Sequence, residues 1–236
     1  VAGMEPITYQ WFKNGIPLAG EIQPKLRLTQ LQPATLGTYG VVVSNRFGAV
    51  ASTLATVSIA DWQRSFGGSG TDRLTAMVRT ADGGFLLAGF SSSPADGTKT
   101  SPNYGQRDFW VVKVAANGAP LWENSYGGSQ DDELAGAQLT PDGGFILAGT
   151  SSSGADGNKS SPNYGGADYW VVRLDGQGRK LWDRSFGGAA NDVARAVLVT
   201  CDGGFAVAGG SASPPGGTKI SVSFGDTDMW MVRLDD

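Results

Sequence analysis

A threefold internal repeat of 60 residues constrains the fold of this chain more than any other feature of its sequence. The tetrapeptide DGGF occurs at 82–85, 142–145 and 202–205, and three copies align around it without a gap. Each copy carries two tryptophans at fixed positions: Trp62, Trp110, Trp122, Trp170, Trp182 and Trp230. A repeat of this length indicates one supersecondary unit per copy, which buries its apolar surface against its neighbours.

Each copy predicts four antiparallel strands. In the first copy, LTAMVRT leads through DGG into FLLAGFS, and FWVVKVA turns at ANG into LWENSY. An Asp-Gly pair supplies the positive φ that a tight hairpin turn requires. The 36 glycines and 10% aromatic residues also favour an all-β chain. We predict four-stranded sheets over about residues 72–126 and 132–186, and a third sheet formed by 192–236 together with 61–66.

The order of these signals resembles a WD40 or kelch-type β-propeller repeat. The glycine pair, the DGGF turn and the strand DFWVV stand where that family has its Gly-His pair, its inner hairpin turn and its Trp-Asp strand. The histidine and the Trp-Asp dipeptide are missing, and the copies are more similar to the Gly- and Trp-rich propeller repeats of large secreted bacterial proteins. The resemblance implies a propeller-type domain over 60–236, with the three predicted sheets as its blades.

Three blades are too few for an ordinary ring, in which four to eight are usual. At about 15 Å from a common axis, three evenly spaced sheets would stand roughly 25 Å apart, whereas packed sheets lie about 10 Å apart. Six sheets would bring neighbours to about 15 Å. We therefore expect a homodimer with a shared six-bladed ring, in which residues 61–66 pair with 228–234 of the same chain or of its partner. A compact prism of three sheets is the alternative.

The first sixty residues predict a different β-unit. ITYQWFKNGIPL predicts two strands around KNG, LRLTQL alternates as a strand does, and GTYGVVVSNRFGAVASTLATVSIA predicts two strands turned at NRFG. Trp11 and Tyr39 match the core tryptophan and the tyrosine corner of an intermediate-type immunoglobulin-like domain, which the segment resembles. The resemblance implies a truncated sandwich over 1–59, without a disulfide because Val41 stands at the cysteine position. A shorter natural β-domain is the alternative.

Composition and charge exclude several classes of function. The net charge of −4 argues against a nucleic-acid partner, because phosphate backbones are bound by clustered Lys and Arg. No run of 18 apolar residues is present, so we expect no membrane insertion. The absence of histidine removes Ser-His and Cys-His nucleophile pairs and the usual zinc triads, and the single cysteine, Cys201, allows no intrachain disulfide.

One carboxylate recurs at the same position of every copy, at Asp72, Asp132 and Asp192. Three such groups could form a ring that holds calcium, which prefers hard oxygen ligands. Their recurrence favours a simpler interpretation, in which each caps loop amides within its own copy. Asp131 and Glu133 flank Asp132 in the second copy alone, so these three carboxylates are the candidates if the protein cleaves a glycosidic bond.

Long polar loops precede the second tryptophan of each copy and are the predicted ligand-binding segments, above all 92–107 and 152–167. Loops on a rigid scaffold are where binding usually occurs. The candidate contacts are aromatic rings, amides and carboxylates: Tyr104, Tyr164, Asn103, Asn163, Asp96 and Asp156. The third copy has Gly216, Ser223 and Phe224 instead, so we expect it to bind weakly.

These observations predict a non-catalytic binding or adhesion module of a secreted or surface bacterial protein. A glycan is the ligand class we favour, and we expect no cofactor unless the recurring Asp residues hold calcium. One alternative is a glycoside hydrolase that uses Asp131, Asp132 and Glu133. The other is a purely structural repeat of a large surface protein.

Overall fold

The computed structural model describes residues 6–29, 33–58 and 62–236. These residues form sixteen β-strands and one short 3₁₀ turn, with no α-helix among them, so the protein is all-β. Its strands belong to four separate antiparallel sheets, and the chain divides into two units, Val1–Asp61 and Trp62–Asp236. Nothing helical in the described residues has the length and apolar character needed to cross a bilayer.

The first unit contains one five-stranded sheet, with the strands β1 (Thr8–Lys13), β2 (Ile16–Pro17), β3 (Gly37–Asn45), β4 (Gly48–Ala51) and β5 (Ala55–Val57), and the 3₁₀ turn is Pro33–Thr35. The strand order is β2-β1-β3-β4, with β5 also paired to β3. Asn14 and Gly15 have φ values of 50° and 77°, as a two-residue turn with left-handed central residues requires, so the KNG hairpin is observed.

The first unit shows little core. Tyr39 is buried and its hydroxyl donates to the Thr35 carbonyl at 2.6 Å, whereas Trp11 is half-buried and its indole N–H donates to the Gln23 carbonyl. The described residues of the unit form one antiparallel sheet, and the two-sheet sandwich predicted over 1–59 stays a prediction. The strand predicted for LRLTQL is wrong for residues 26–29, and its last two residues lie outside the described ranges.

The second unit contains one sheet per sequence repeat. The first sheet comprises β6 (Asp72–Arg79), β7 (Phe85–Ser91), β8 (Asp108–Val114) and β9 (Pro120–Tyr126). The second comprises β10 (Asp132–Leu139), β11 (Phe145–Ser151), β12 (Asp168–Leu174) and β13 (Lys180–Phe186). The third comprises β14 (Asp192–Val199), β15 (Phe205–Ser211) and β16 (Asp228–Leu234). Strand register is the same in each sheet, as the pairs Gly89–Trp110, Gly149–Trp170 and Gly209–Trp230 show.

The three sheets stack face to face in chain order. We call the face turned to the next sheet the leading face and the face turned to the previous sheet the trailing face. Phe109 on the leading face of the first sheet packs on Trp170 of the second, with ring centroids 4.6 Å apart. Tyr169 repeats this contact on Trp230 of the third sheet at 4.9 Å. Burying each large apolar side chain contributes about 1.5–3 kcal/mol, so these interfaces hold the stack together.

The propeller prediction is wrong. The sheets of the second unit are separate and no closed ring is formed. The third sheet has three strands, and in the described residues β16 pairs with β15 alone. Residues 62–68 form no strand and do not pair with 228–234 of the same chain, while residue 61 lies outside the described ranges.

A physical reason for the open stack lies at its first sheet. Phe66 packs against the trailing-face cluster around Trp110, and the Trp62 indole N–H donates to the Ala116 carbonyl at 2.9 Å. The segment 62–66 is therefore held on the first sheet, with the second sheet between it and β16. The six-bladed ring was predicted from the propeller repeat and is wrong with it, whereas the association of two chains stays a prediction.

Replacing Phe109 with alanine should destabilise the second unit by about 3–5 kcal/mol, because the buried ring fills the interface between the first two sheets. Leu181→Ala is the matched control, since Leu181 is 56% exposed on a strand of the second sheet and its truncation should cost less than about 0.5 kcal/mol. Urea unfolding followed by tryptophan fluorescence measures both. Equal shifts of the two midpoints would contradict the packing described above.

Candidate functional site

Each recurring Asp caps a loop of its own repeat. The carboxylate of Asp132 accepts hydrogen bonds from the Gly128 N–H and from the Ser153 hydroxyl, both at 2.8 Å. Asp72 and Asp192 make the equivalent contacts in their own copies. Among the described residues no group of three or more His, Cys, Asp or Glu side chains could hold a metal ion. The geometry shows the capping role, and calcium binding by these residues stays a prediction.

Asp108 and Asp132 form a buried carboxyl pair beside Gly127. Burial raises the pKa of Asp108 to about 7; the Tyr104 N–H, 2.6 Å from its Oδ2, opposes the shift and the charge of Asp132 adds to it. Asp168, with Asp192 nearby, repeats the arrangement, and burial raises its pKa to about 6. A carboxyl that keeps its proton near neutral pH can act as a donor as well as an acceptor.

The recurring lysines are also internal. Lys99 and Lys159 are almost fully buried, and each ammonium donates to two loop carbonyls, at 2.7 and 3.2 Å for Lys99. Burial lowers the pKa of both lysines. Together with the buried carboxyls they fix the long loops on the sheets.

The predicted ligand contacts in the long loops are largely used within the loops. Asn103 donates its amide to the Gly105 carbonyl at 2.7 Å, and Asn163 donates to the Gly166 carbonyl at 2.8 Å. Asp96 and Asp156 each accept the backbone N–H of a serine in the glycine-pair loop of their own repeat, at 2.9 Å. Each of these side chains therefore has at least one structural partner, although the Asn103 Oδ1 is buried without one.

Tyr104 and Tyr164 keep exposed surface, at 37% and 36%. Each ring stands against the next long loop, since a Cβ built on Gly157 would lie 3.1 Å from the Tyr104 Cβ and Tyr164 stands over Gly217 in the same way. The two tyrosines therefore belong to consecutive contacts between loops, and the structure does not bring them into one site.

A groove of about 630 Å³ opens where the first strands of the three sheets, β6, β10 and β14, lie next to one another. Its charged and aromatic lining comprises Arg73, Phe90, Asp131, Glu133 and Arg195. A second, connected depression adds Arg107. A volume of this size suits a small ligand or part of a chain-like one, since ligand pockets are about 300–1,000 Å³.

Arg107 joins the two acidic residues of the groove. Its guanidinium bonds both carboxylate oxygens of Asp131, at 2.7 and 2.9 Å, and pairs with Glu133 as well. The hydrogen bond to Asp131 raises the pKa of Arg107. Asp132 points away into its own loop, because successive strand residues face opposite sides. The three carboxylates predicted for a hydrolase do not share one site.

Arg73 and Arg195 are the free charges of the groove. Both side chains are exposed, and neither has a hydrogen bond or ion pair with any residue of the described part of the chain. They lie on β6 and β14, with the Arg107 cluster between the first and second sheets. The groove therefore offers two unpaired guanidinium groups beside a cluster in which one guanidinium, that of Arg107, is shared by two carboxylates.

The charged residues of the groove break the sequence repeat. Scaffold residues such as Asp72, Asp132 and Asp192 are the same in all copies. The position of Arg73 holds Glu133 in the second copy and Val193 in the third. Arg107 and Arg195 are likewise unique to one copy each. A comparison of the copies position by position would have found Arg73, Arg107 and Arg195 from sequence, as it found Asp131 and Glu133.

No protein-family model and no curated protein matches the chain. Two solved structures are similar at 13% identity. Rhamnogalacturonan lyase YesW is matched over 86% of this chain and 43% of its own length, with a TM-score of 0.38. Sidekick-1 immunoglobulin domains 1–4 are matched over 84% of this chain and 69% of theirs, with a TM-score of 0.23. The chain spans less than half of the lyase, and at these scores neither likeness tells us the fold or function. Neither structure is a WD40 or kelch repeat.

The buried carboxyl pairs predict that stability falls as the pH rises from about 4 to about 7. Asp108 has its pKa raised from 3.8 to about 7 by burial, so the folded chain holds a proton that the unfolded chain has released in this interval. Below pH 4 the Asp108 carboxyl is protonated in both the folded and the unfolded chain, so its contribution to stability no longer depends on pH. Asp108→Asn should flatten the decline in melting temperature between pH 4.5 and 7.5.

Asp96→Asn is the control for this measurement, because Asp96 has its pKa lowered and titrates below the interval in both states. The control variant should keep the parent slope. A parent protein whose melting temperature rises from pH 4.5 to 7.5 would show that the buried carboxyls are ionised throughout.

Proposed function

We propose that the second unit is a non-catalytic binding module whose groove takes an acidic glycan, that is, a saccharide that carries carboxylate or sulfate groups. The observation that supports this most directly is the pair of unpaired guanidinium groups, Arg73 and Arg195, in a groove whose charged residues are unique to single repeats.

The chemistry of the groove fits this ligand class. A guanidinium presents a planar set of donors that matches a carboxylate or sulfate group, and such charge-assisted bonds are about twice as strong as neutral ones. The carboxylates of Asp131 and Glu133 have further lone pairs that can accept hydroxyl groups. Leu74 and Phe90 add apolar surface to the lining. The groove thus combines anion, hydroxyl and apolar contacts.

Binding without cleavage follows from the state of the acidic residues. Asp131 and Glu133 are both engaged by Arg107, so neither is free to act as a proton donor or nucleophile towards a glycosidic bond. Secretion or surface display, and a role in adhesion, agree with a glycan ligand and form part of the proposal. A purely structural repeat offers no use for two unpaired arginines in one groove.

A glycan array with uronate-bearing, sialylated, sulfated and neutral members tests the ligand class. Binding should be confined to acidic glycans and should weaken as salt is raised from 50 to 500 mM, because the contacts are ionic and exposed. Calorimetry with the best acidic ligand then compares variants. Arg73→Ala with Arg195→Ala should weaken affinity at least tenfold, whereas Arg179→Ala, at an arginine whose side chain is 80% exposed in the turn before β13, should leave it unchanged.

Tyr104→Ala with Tyr164→Ala separates this groove from the long-loop site predicted from sequence. Loss of affinity in the tyrosine variant alone would place the ligand on the loops and refute the groove. A preference for neutral glycans would refute the acidic ligand class. Release of reducing sugar from any array ligand by the parent chain would replace the binding module with a hydrolase.

A further inference from the structure

The leading face of the third sheet is uncovered. Met229 is 99% exposed and Met231 is 68% exposed there. The residues at the same positions of the first two sheets are fully buried beneath the next sheet: Phe109, Val111, Tyr169 and Val171, each at 0%. The repeat itself therefore shows what covers such a face, namely the trailing face of another sheet of the same kind.

The trailing face of the first sheet is uncovered in the complementary way. Leu74 is 57% exposed and Met77 is 64% exposed. At the same positions of the second sheet, Leu134 and Ala137 are 2% and 9% exposed, because the first sheet lies on them. The two ends of the stack thus present the two halves of an interface that the chain already makes twice internally.

The segment 62–66 and the free edge of β16 each lack a hydrogen-bonding strand partner in the described residues. The segment 62–66 occupies on the first sheet the place that β9 occupies on the second. The Trp62 ring lies against Gly118 as the Trp122 ring lies against Gly178. Whereas β9 is also hydrogen-bonded to β8, the segment 62–66 has no strand partner in the described residues, and the edge of β16 has no fourth strand.

The indole N–H groups identify the missing contact at this edge. The Trp110 indole donates to the carboxylate of Glu123, and the Trp170 indole donates to that of Asp183, each from the fourth strand. The Trp230 indole has no such acceptor among the described residues. Gln63, whose side-chain carbonyl is an acceptor, holds the position of Glu123 in the segment 62–66.

The long loops repeat the pattern. Tyr104 stands over Gly157, and Tyr164 stands over Gly217. Phe224 holds the tyrosine position in the third copy and is 87% exposed. At Gly97, with φ of 59° like its two counterparts, the three atoms nearest a Cβ built at that position are backbone atoms of Gly67 and Gly68, and no aromatic atom is among them. Phe224 at one end of the stack therefore lacks the glycine that its counterparts contact, and Gly97 at the other end is a glycine of that kind.

We propose that the third sheet of one chain docks head to tail on the first sheet of a second copy of this chain. The segment 62–66 of the second copy then extends the third sheet along β16. The register of β8 with β9 places Met229 opposite Phe66 and Met231 opposite Arg64. Because the two copies use different surfaces, the contact is heterologous. Met229 and Phe224 become covered, and the Trp230 indole meets Gln63.

Light scattering over a concentration series tests the association. The chain should reach at least twice its 24.5 kDa mass. Met229→Lys with Met231→Lys should return it to the single-chain mass with an unchanged circular dichroism spectrum, because two charges would be buried at the interface. Leu121→Lys, at a 56% exposed position outside the interface, should associate like the parent. A parent that stays at 24.5 kDa throughout, or a double variant that associates like the parent, would overturn the proposal.

Cysteine pairing tests the register. One chain carries Arg64→Cys and a second carries Met231→Cys, both in a Cys201→Ser background because Cys201 is exposed. Mild oxidation of the mixture should give a disulfide-linked pair of different chains. Gln63→Cys is the matched control, because a shift by one residue turns the thiol to the opposite face of the strand. Equal cross-linking from Gln63→Cys, or no cross-linking from Arg64→Cys, would overturn the strand pairing.

Discussion

The structure of the second unit depends on one constraint, that a sheet apolar on both faces must be covered on both. Phe109 against Trp170 and Tyr169 against Trp230 are two instances of the same contact, in which a ring from the third strand of one sheet enters the next sheet beside its tryptophan. No single repeat can satisfy this constraint alone. The middle sheet satisfies it on both sides, which is why Trp170, Tyr169 and Val171 have no exposed surface at all.

Polar contacts add order to this packing. The buried lysines, the recurring Asp caps and the acids Glu123 and Asp183 bind loops to sheets through hydrogen bonds whose donors and acceptors are nearly all inside one repeat or between adjacent ones. Because buried polar groups are costly unless paired, such networks allow few alternative loop conformations. The groove at β6, β10 and β14 therefore stands on a rigid frame, while its own charged residues carry no structural contacts apart from the Arg107 cluster.

Sequence patterns were sufficient for the KNG hairpin and for the strands of the repeats other than the one predicted over 61–66, since these rest on local signals: period-two alternation and Gly at positive φ. Whether the sheets close into a ring could not be predicted in this way, because ring closure depends on the angles between sheets, which no local pattern encodes. The structural contacts of the long loops could not be predicted for a related reason, and ligand binding by these loops stays a prediction. Asn103 and Asp96 are typical ligand-binding residue types, but Asn103 donates to the Gly105 carbonyl of its own loop and Asp96 accepts the Ser69 N–H from another segment. Arg73 and Arg195 lie 122 positions apart, and only the stacking of β6, β10 and β14 brings them to one groove.

The identical register of the three repeat sheets has a consequence for how such a chain can change over time. The leading face of the first sheet and that of the second are built from the same positions, so the trailing face of the third sheet fits either. Residues 127–186, from one glycine pair to the next, form an interchangeable cassette whose junctions have the same sequence, Gly-Gly, on both sides. Gain or loss of a cassette by unequal recombination leaves every surviving interface intact, and each event changes which side chains meet at the groove.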